Sequence, residues 1–128
     1  MRVLIADDQK GVGDALAAMV SQCQHEVVDV VGSGLEAMRA YTRHLPDVVL
    51  MDYWMPNLNG ATACRNIISK YPGARVILVS GWTPLKDIGN SGAIAILAKP
   101  VAFDDLYSAL HAAASLPAPN HGSAVGPN

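Results

Sequence analysis

Short apolar runs alternate along the chain with longer stretches in which apolar side chains return every three or four positions. The runs are Val3-Leu4-Ile5-Ala6, Val27-Val28-Asp29-Val30-Val31, Val48-Val49-Leu50-Met51, Arg75-Val76-Ile77-Leu78-Val79 and Ile94-Ala95-Ile96-Leu97-Ala98. Being short and rich in β-branched residues, they read as strands. Leu16, Met19, Val20 and Cys23, with Asp14 near the amino end, predict a first helix. Gly32 and a Ser33 cap introduce a second helix carrying Leu35, Met38, Tyr41 and Leu45. The turn Pro56-Asn57-Leu58-Asn59-Gly60 leads into a third helix with Ala63, Cys64, Ile67, Ile68 and Tyr71, closed by Pro72-Gly73. From Gly81-Trp82-Thr83-Pro84 to Gly92 the pattern is weakly helical and rich in Gly, Asn and Ser, whereas Phe103, Leu106, Tyr107, Leu110 and Ala114 predict a last amphipathic helix. Pro117 to Asn128 has almost no large apolar side chain, so one domain over 1–116 is expected, followed by a tail or linker over 117–128.

Five strands alternating with five helices predict a three-layered α/β protein, a doubly wound parallel sheet with helices on both faces. Right-handed crossovers favour the flavodoxin-like strand order 2-1-3-4-5, whose switch point lies between strands one and three. Asp29 inside the second run marks a more exposed edge strand. Ligands of such sheets bind beyond the carboxyl ends of the strands at the switch point.

Composition narrows the class further. Of 128 residues, 51% are hydrophobic and 16% charged, which fits a compact domain with a real core rather than a disordered chain. The net charge of −2 supplies no global positive field for nucleic acid or an anionic membrane. With no apolar run near the roughly 20 residues that span a bilayer, and a strand starting at once after Met1, a cytoplasmic protein is expected. Cys23 and Cys64 fall on apolar helix positions and read as buried thiols rather than a disulfide. His25, His44, His111 and His121 show no metal-ligand spacing; His44 belongs at a helix end.

The chemistry sits where the strands stop. Asp7 and Asp8 end the first run, Asp52 the third, Ser80 the fourth and Lys99 the fifth, and strand order 2-1-3-4-5 brings the three carboxylates together. Clustered carboxylates repel one another and call for a cation, and Mg²⁺ suits oxygen ligands that leave room for water and phosphate oxygens. One carboxylate can then act as a nucleophile toward phosphorus, with a lysine ammonium and a serine hydroxyl to meet the phosphoryl oxygens. No glycine-rich phosphate loop follows a strand, which weakens flavin, dinucleotide and nucleotide-hydrolase readings.

The ordered set Val3-Leu4-Ile5-Ala6-Asp7-Asp8, Pro46-Asp47 through Asp52 to Met55-Pro56-Asn57-Leu58-Asn59-Gly60, Val79-Ser80-Gly81 and Ala98-Lys99-Pro100 resembles the receiver domain of two-component response regulators, from Met1 to about Leu116. The resemblance implies Asp52 as phosphoacceptor, Asp7 and Asp8 as the acidic pair that organises Mg²⁺, and the backbone carbonyl of Trp54 as a further metal ligand. It implies Ser80 as the switch hydroxyl, Lys99 as the partner of the phosphoryl group and a cis Lys99-Pro100 bond. It further implies a histidine kinase or phosphotransfer protein as donor, an effector domain or target protein as recipient of the signal, phosphorylation-dependent dimerisation, and a signalling domain rather than an enzyme in its own right. Two departures stand out. Ile96 occupies the position where the family often has a switching aromatic residue, and Trp54 and Trp82 each lie two residues beyond a site residue, where they could shield an acyl phosphate from water or face a partner.

Other readings of the same residues fit the chain less well. An isolated Asp-Asp is commonly a cap or turn, and a lone Ser or Lys is commonly structural. A phosphatase of the haloacid-dehalogenase type would carry a second Asp at the position of Trp54. A receiver fold serving only as an interaction module would have a damaged site, whereas all five polar residues are present.

Overall fold

A computed structural model describes residues 1–82, 89–117 and 119. Five strands, β1 (Arg2–Ala6), β2 (Glu26–Val31), β3 (Val48–Asp52), β4 (Val76–Ser80) and β5 (Ala95–Ala98), form one parallel sheet in the order β2-β1-β3-β4-β5. Among the described residues the long helices are α1 (Lys10–Gln22), α2 (Gly34–His44), α3 (Gly60–Lys70) and α4 (Phe103–Ala114). The fold class and strand order are those expected from the alternation of periods. The predicted weak helix between Gly81 and Gly92 has its centre, 83–88, outside the described residues, as do most of the tail over 117–128 and His121.

Every residue of β3 and β4 is buried, because both faces are covered. Successive side chains point to opposite faces, so each strand feeds two cores. Leu4, Ala6, Val49, Met51 and Leu78 pack with Ala37, Tyr41, Cys64 and Ile67 of α2 and α3. Val3, Ile5, Val48, Leu50, Ile77 and Val79 pack with Leu16, Val20, Leu106 and Leu110 of α1 and α4. Cys23 and Cys64 are free, buried and on opposite sides of the sheet, so they cannot pair.

Two helix faces differ from expectation. In α2 the buried positions are Gly34, Ala37, Ala40 and Tyr41, while Leu35 is half exposed and Leu45 lies past the helix at φ 45°. Gly34, Ala37 and Ala40 let α2 approach the sheet closely, which leaves Tyr41 as its one large fully buried side chain and turns Leu35 outward. In α4, Leu106, Leu110 and Ala113 are buried but Phe103 and Tyr107 are exposed, stacked in line with His111, and Ala114 is also exposed. The Ser33 cap is as expected, its side chain accepting from the Glu36 N–H at 3.1 Å. Asp29 lies on the edge strand β2 and meets His44, in the last turn of α2, at 3.2 Å. Arg75 precedes β4 and is buried, donating to the carbonyls of Asp47 and Ala113.

Candidate functional site

Because neighbouring strands run parallel and in register, their carboxyl ends coincide. Ala6 pairs with Met51, Asp52 with Val79 and Ser80 with Ala98, so the residues that close four strands emerge side by side along one edge. Backbone bonds hold the exits: the Asp7 N–H donates to the Val31 carbonyl at 2.9 Å, and that of Lys99 to the Ser80 carbonyl at 3.1 Å. The Lys99-Pro100 peptide is cis. At the start of α3, Gly60 lies so close to β3 that a Cβ there would overlap the Asp52 carbonyl oxygen. Its N–H donates to the Tyr53 carbonyl at 2.8 Å, and the Asn59 side chain caps the helix through the Thr62 N–H at 2.9 Å.

All five polar residues singled out in the sequence gather here. One carboxylate oxygen from each of Asp7, Asp8 and Asp52 lies within 4.8 Å of the others. Asp7 and Asp52 are buried and Asp8 is exposed, so the cluster has a dry floor and a wet rim. The Lys99 ammonium stands 3.1 Å from Asp7 Oδ2 and 3.1 Å from Asp52 Oδ1. The second Asp7 oxygen accepts from the Gln9 N–H at 2.9 Å. Among the described residues, no other cluster of three metal-ligating side chains comes together, and no histidine joins this one. The donor set is all oxygen and net negative even with Lys99 counted, which fits a hard divalent cation such as Mg²⁺ and not a soft one.

The electrostatics follow from burial and neighbours. Burial raises the Asp52 carboxyl above the ordinary carboxylate range, and the Asp7 charge adds to this, while Lys99 and the Trp54 backbone N–H pull it back only in part. Burial pulls the Lys99 ammonium down, but its bonds to Asp7 and Asp52 outweigh that and leave it above the usual lysine value.

Trp54 borders this cluster, and Trp82 stacks against Trp54. Asp8, Gln9, Asp52, Trp54, Gly81 and Lys99 line one cleft. Trp54 is 51% exposed and Trp82 68%, their rings 6.0 Å apart between centroids and inclined by only 7°. The Ser80 hydroxyl is bound locally, donating to the Trp82 carbonyl at 2.6 Å and accepting from the Trp82 N–H at 3.0 Å. The Trp54 indole N–H donates to that same carbonyl at 2.7 Å. Sequence reasoning flagged both tryptophans but not their pairing; the available signal was their equal two-residue offset past the ends of adjacent strands. It also missed Gln9. Ile96 is half buried against the core on the α3 side of the sheet.

A family model described as the response regulator receiver domain matches residues 3–111. The transcriptional regulatory protein PdtaR of Mycobacterium tuberculosis is 36% identical over 116 residues, covering 89% of this chain and 57% of PdtaR, so the chain spans little more than half the length of that relative. The chemotaxis protein CheY of Listeria monocytogenes is 32% identical, over 89% of this chain and 98% of CheY. Among solved structures, a chain of the CheX-CheY-BeF3-Mg²⁺ complex from Borrelia burgdorferi superposes with a TM-score of 0.84 at 26% identity, covering 91% of this chain and 90% of that one. The response regulator domain of Thermotoga maritima CheB does so with a TM-score of 0.76 at 32% identity, over 91% and 98%.

Proposed function

The chain belongs to the response regulator receiver domain family of two-component systems, and from that premise we propose that it accepts a phosphoryl group on Asp52 from a phosphohistidine donor. The observation that carries the reading is the Lys99 ammonium shared between Asp7 and Asp52 at 3.1 Å each, beside Asp8 at the sheet's switch point. In the proposed reaction a carboxylate oxygen of Asp52 attacks phosphorus, the P–N bond to the donor imidazole breaks, and the departing nitrogen keeps the electron pair. The product is an acyl phosphate on Asp52 and a histidine on the donor that is neutral because its other ring nitrogen carries a proton throughout. Lys99, already held between two carboxylates, supplies positive charge to the new phosphoryl oxygens, and the Ser80 hydroxyl is the nearby donor that can turn toward them. Asp7, Asp8, Asp52 and the Trp54 carbonyl would hold Mg²⁺, which when bound offsets the negative charge of the phosphoryl oxygens.

In this reading the unit over 1–116 is a signalling domain whose output is a changed surface. The donor is a histidine kinase or phosphotransfer protein, and the recipient is an effector domain, a target protein or a second phosphorylated copy. The setting is cytoplasmic; among the described residues, no helix is long and apolar enough to cross a membrane. Incubation with acetyl phosphate and Mg²⁺ followed by mass spectrometry tests the assignment: one phosphoryl group per wild-type chain and none on Asp52→Asn is expected. Labelling of Asp52→Asn to wild-type extent overturns it, and a wild-type chain that takes up no label favours a pure interaction module.

A further inference from the structure

A serine hydroxyl has one hydrogen to give, and that of Ser80 is spent on the Trp82 carbonyl at 2.6 Å. To donate to a phosphoryl oxygen on Asp52 it must release that carbonyl. The ease of release depends on how firmly the carbonyl is fixed, and among the described residues the other side chain that holds it is Trp54. The indole N–H of Trp54 meets the same oxygen at 2.7 Å, and the ring lies parallel to that of Trp82. Trp54 is itself anchored from below, its ring meeting the buried Tyr53 edge-on at 4.7 Å between centroids. Tyr53 is tied to β4 by its N–H to the Val79 carbonyl at 2.9 Å. A continuous set of contacts thus runs from the sheet through Tyr53 and Trp54 to the carbonyl that holds Ser80.

We infer that Trp54 is a positioning residue for Ser80, a latch whose indole N–H and stacked ring hold the Trp82 carbonyl where it retains the Ser80 hydroxyl, so that engagement of Ser80 at the phosphoryl group opens the Trp54–Trp82 pair. This rests on Asp52 being the phosphoacceptor. Both rings are half exposed or more, so water can satisfy the Trp82 carbonyl once Ser80 departs, and the latch can open without leaving an orphaned acceptor. Trp54 also meets Asp52 through its backbone N–H, a contact that a change of its side chain leaves in place.

The test is a double-mutant cycle read by binding of Mg²⁺-beryllofluoride, a phosphoryl mimic, followed by ¹⁹F NMR so that no tryptophan signal is needed. Trp54→Phe keeps an aromatic ring but lacks the N–H. Because a neutral hydrogen bond is lost from the resting form only, binding is expected to tighten about three- to tenfold. In the Ser80→Ala background the same substitution is expected to change binding less than twofold, since Trp54 acts through that hydroxyl. Equal effects in both backgrounds, or weaker binding by Trp54→Phe, overturn the latch. A second measurement needs no change at Trp54: hydrogen exchange of its indole N–H should speed up when wild type is saturated with Mg²⁺-beryllofluoride and stay unchanged in Ser80→Ala, and an unchanged rate in wild type also overturns it. A wild-type chain giving no bound ¹⁹F signal refutes instead the phosphoacceptor reading on which the inference stands.

Discussion

Removing the negative charge of Asp52 should make the metal-free protein more stable. The Lys99 ammonium at 3.1 Å attracts the carboxylate by about 5 kcal/mol at an effective dielectric near 20, and the Asp7 carboxylate within 4.8 Å repels it by about 3.5 kcal/mol on the same scale. Asp8 repels it as well, by a smaller amount because it is exposed and screened. Lys99 and Asp7 together leave about 1.5 kcal/mol of attraction, which Asp8 reduces further, so the larger cost of desolvating a carboxylate left only 4% exposed decides the sign. Asp52→Asn removes that penalty, keeps the side chain's size and leaves Lys99 paired with Asp7. A gain of about 1–2 kcal/mol is expected at pH 7, or roughly 3–10 °C in Tm for a domain of this size. The pH dependence carries a definite sign. The folded-state pKa of Asp52 is raised, so its ionised form lowers stability at neutral pH, and that loss fades as pH falls through the raised value toward the ordinary 3.8. The advantage of Asp52→Asn should shrink over that range. Urea and thermal unfolding of both proteins in EDTA measure it, and Mg²⁺ should narrow the gap by stabilising wild type more. A variant less stable than wild type in EDTA at pH 7, or an advantage independent of pH, would refute the reasoning.

Three further outcomes are expected. Gly60→Ala should destabilise the protein by about 1–3 kcal/mol in chemical denaturation, because its Cβ would overlap the Asp52 carbonyl and α3 must move away from β3. The Cys64 thiol, its pKa pushed up to about 12 by burial and its Sγ 3.2 Å from the Ser91 carbonyl, should resist Ellman's reagent in the folded protein and react once urea unfolds it; rapid labelling of native protein would contradict the packing around it. The indole pair should slow loss of the acyl phosphate by hindering an aligned water, so the Trp54→Asn, Trp82→Glu double variant is expected to lose phosphate about tenfold faster; an unchanged rate would leave the rings as a partner surface instead.

The sequence alone was enough for the class of fold and for the membership of the acidic cluster. Continuous apolar runs too short for helices, separated by helical periods, admit few arrangements other than a parallel sheet covered on both faces, and such a sheet delivers the ends of adjacent strands to one edge. The order of the strands therefore suffices to gather Asp7, Asp8, Asp52, Ser80 and Lys99 at that edge. Local pattern could not choose which face of a helix meets the sheet. Leu35, Phe103 and Tyr107 fit helical periods and yet point outward, because close approach of α2 favours Ala37 and Ala40, and α4 needs only Leu106, Leu110 and Ala113 to fill its side. Nor could it show one ammonium bridging Asp7 and Asp52, or Ser80 and Trp54 sharing the Trp82 carbonyl. Those contacts join residues as far apart as 7 and 99, and they exist only once strand register and turn geometry set the side chains within hydrogen-bonding distance: periodicity reports what each segment buries, whereas the folded chain alone decides what each side chain touches.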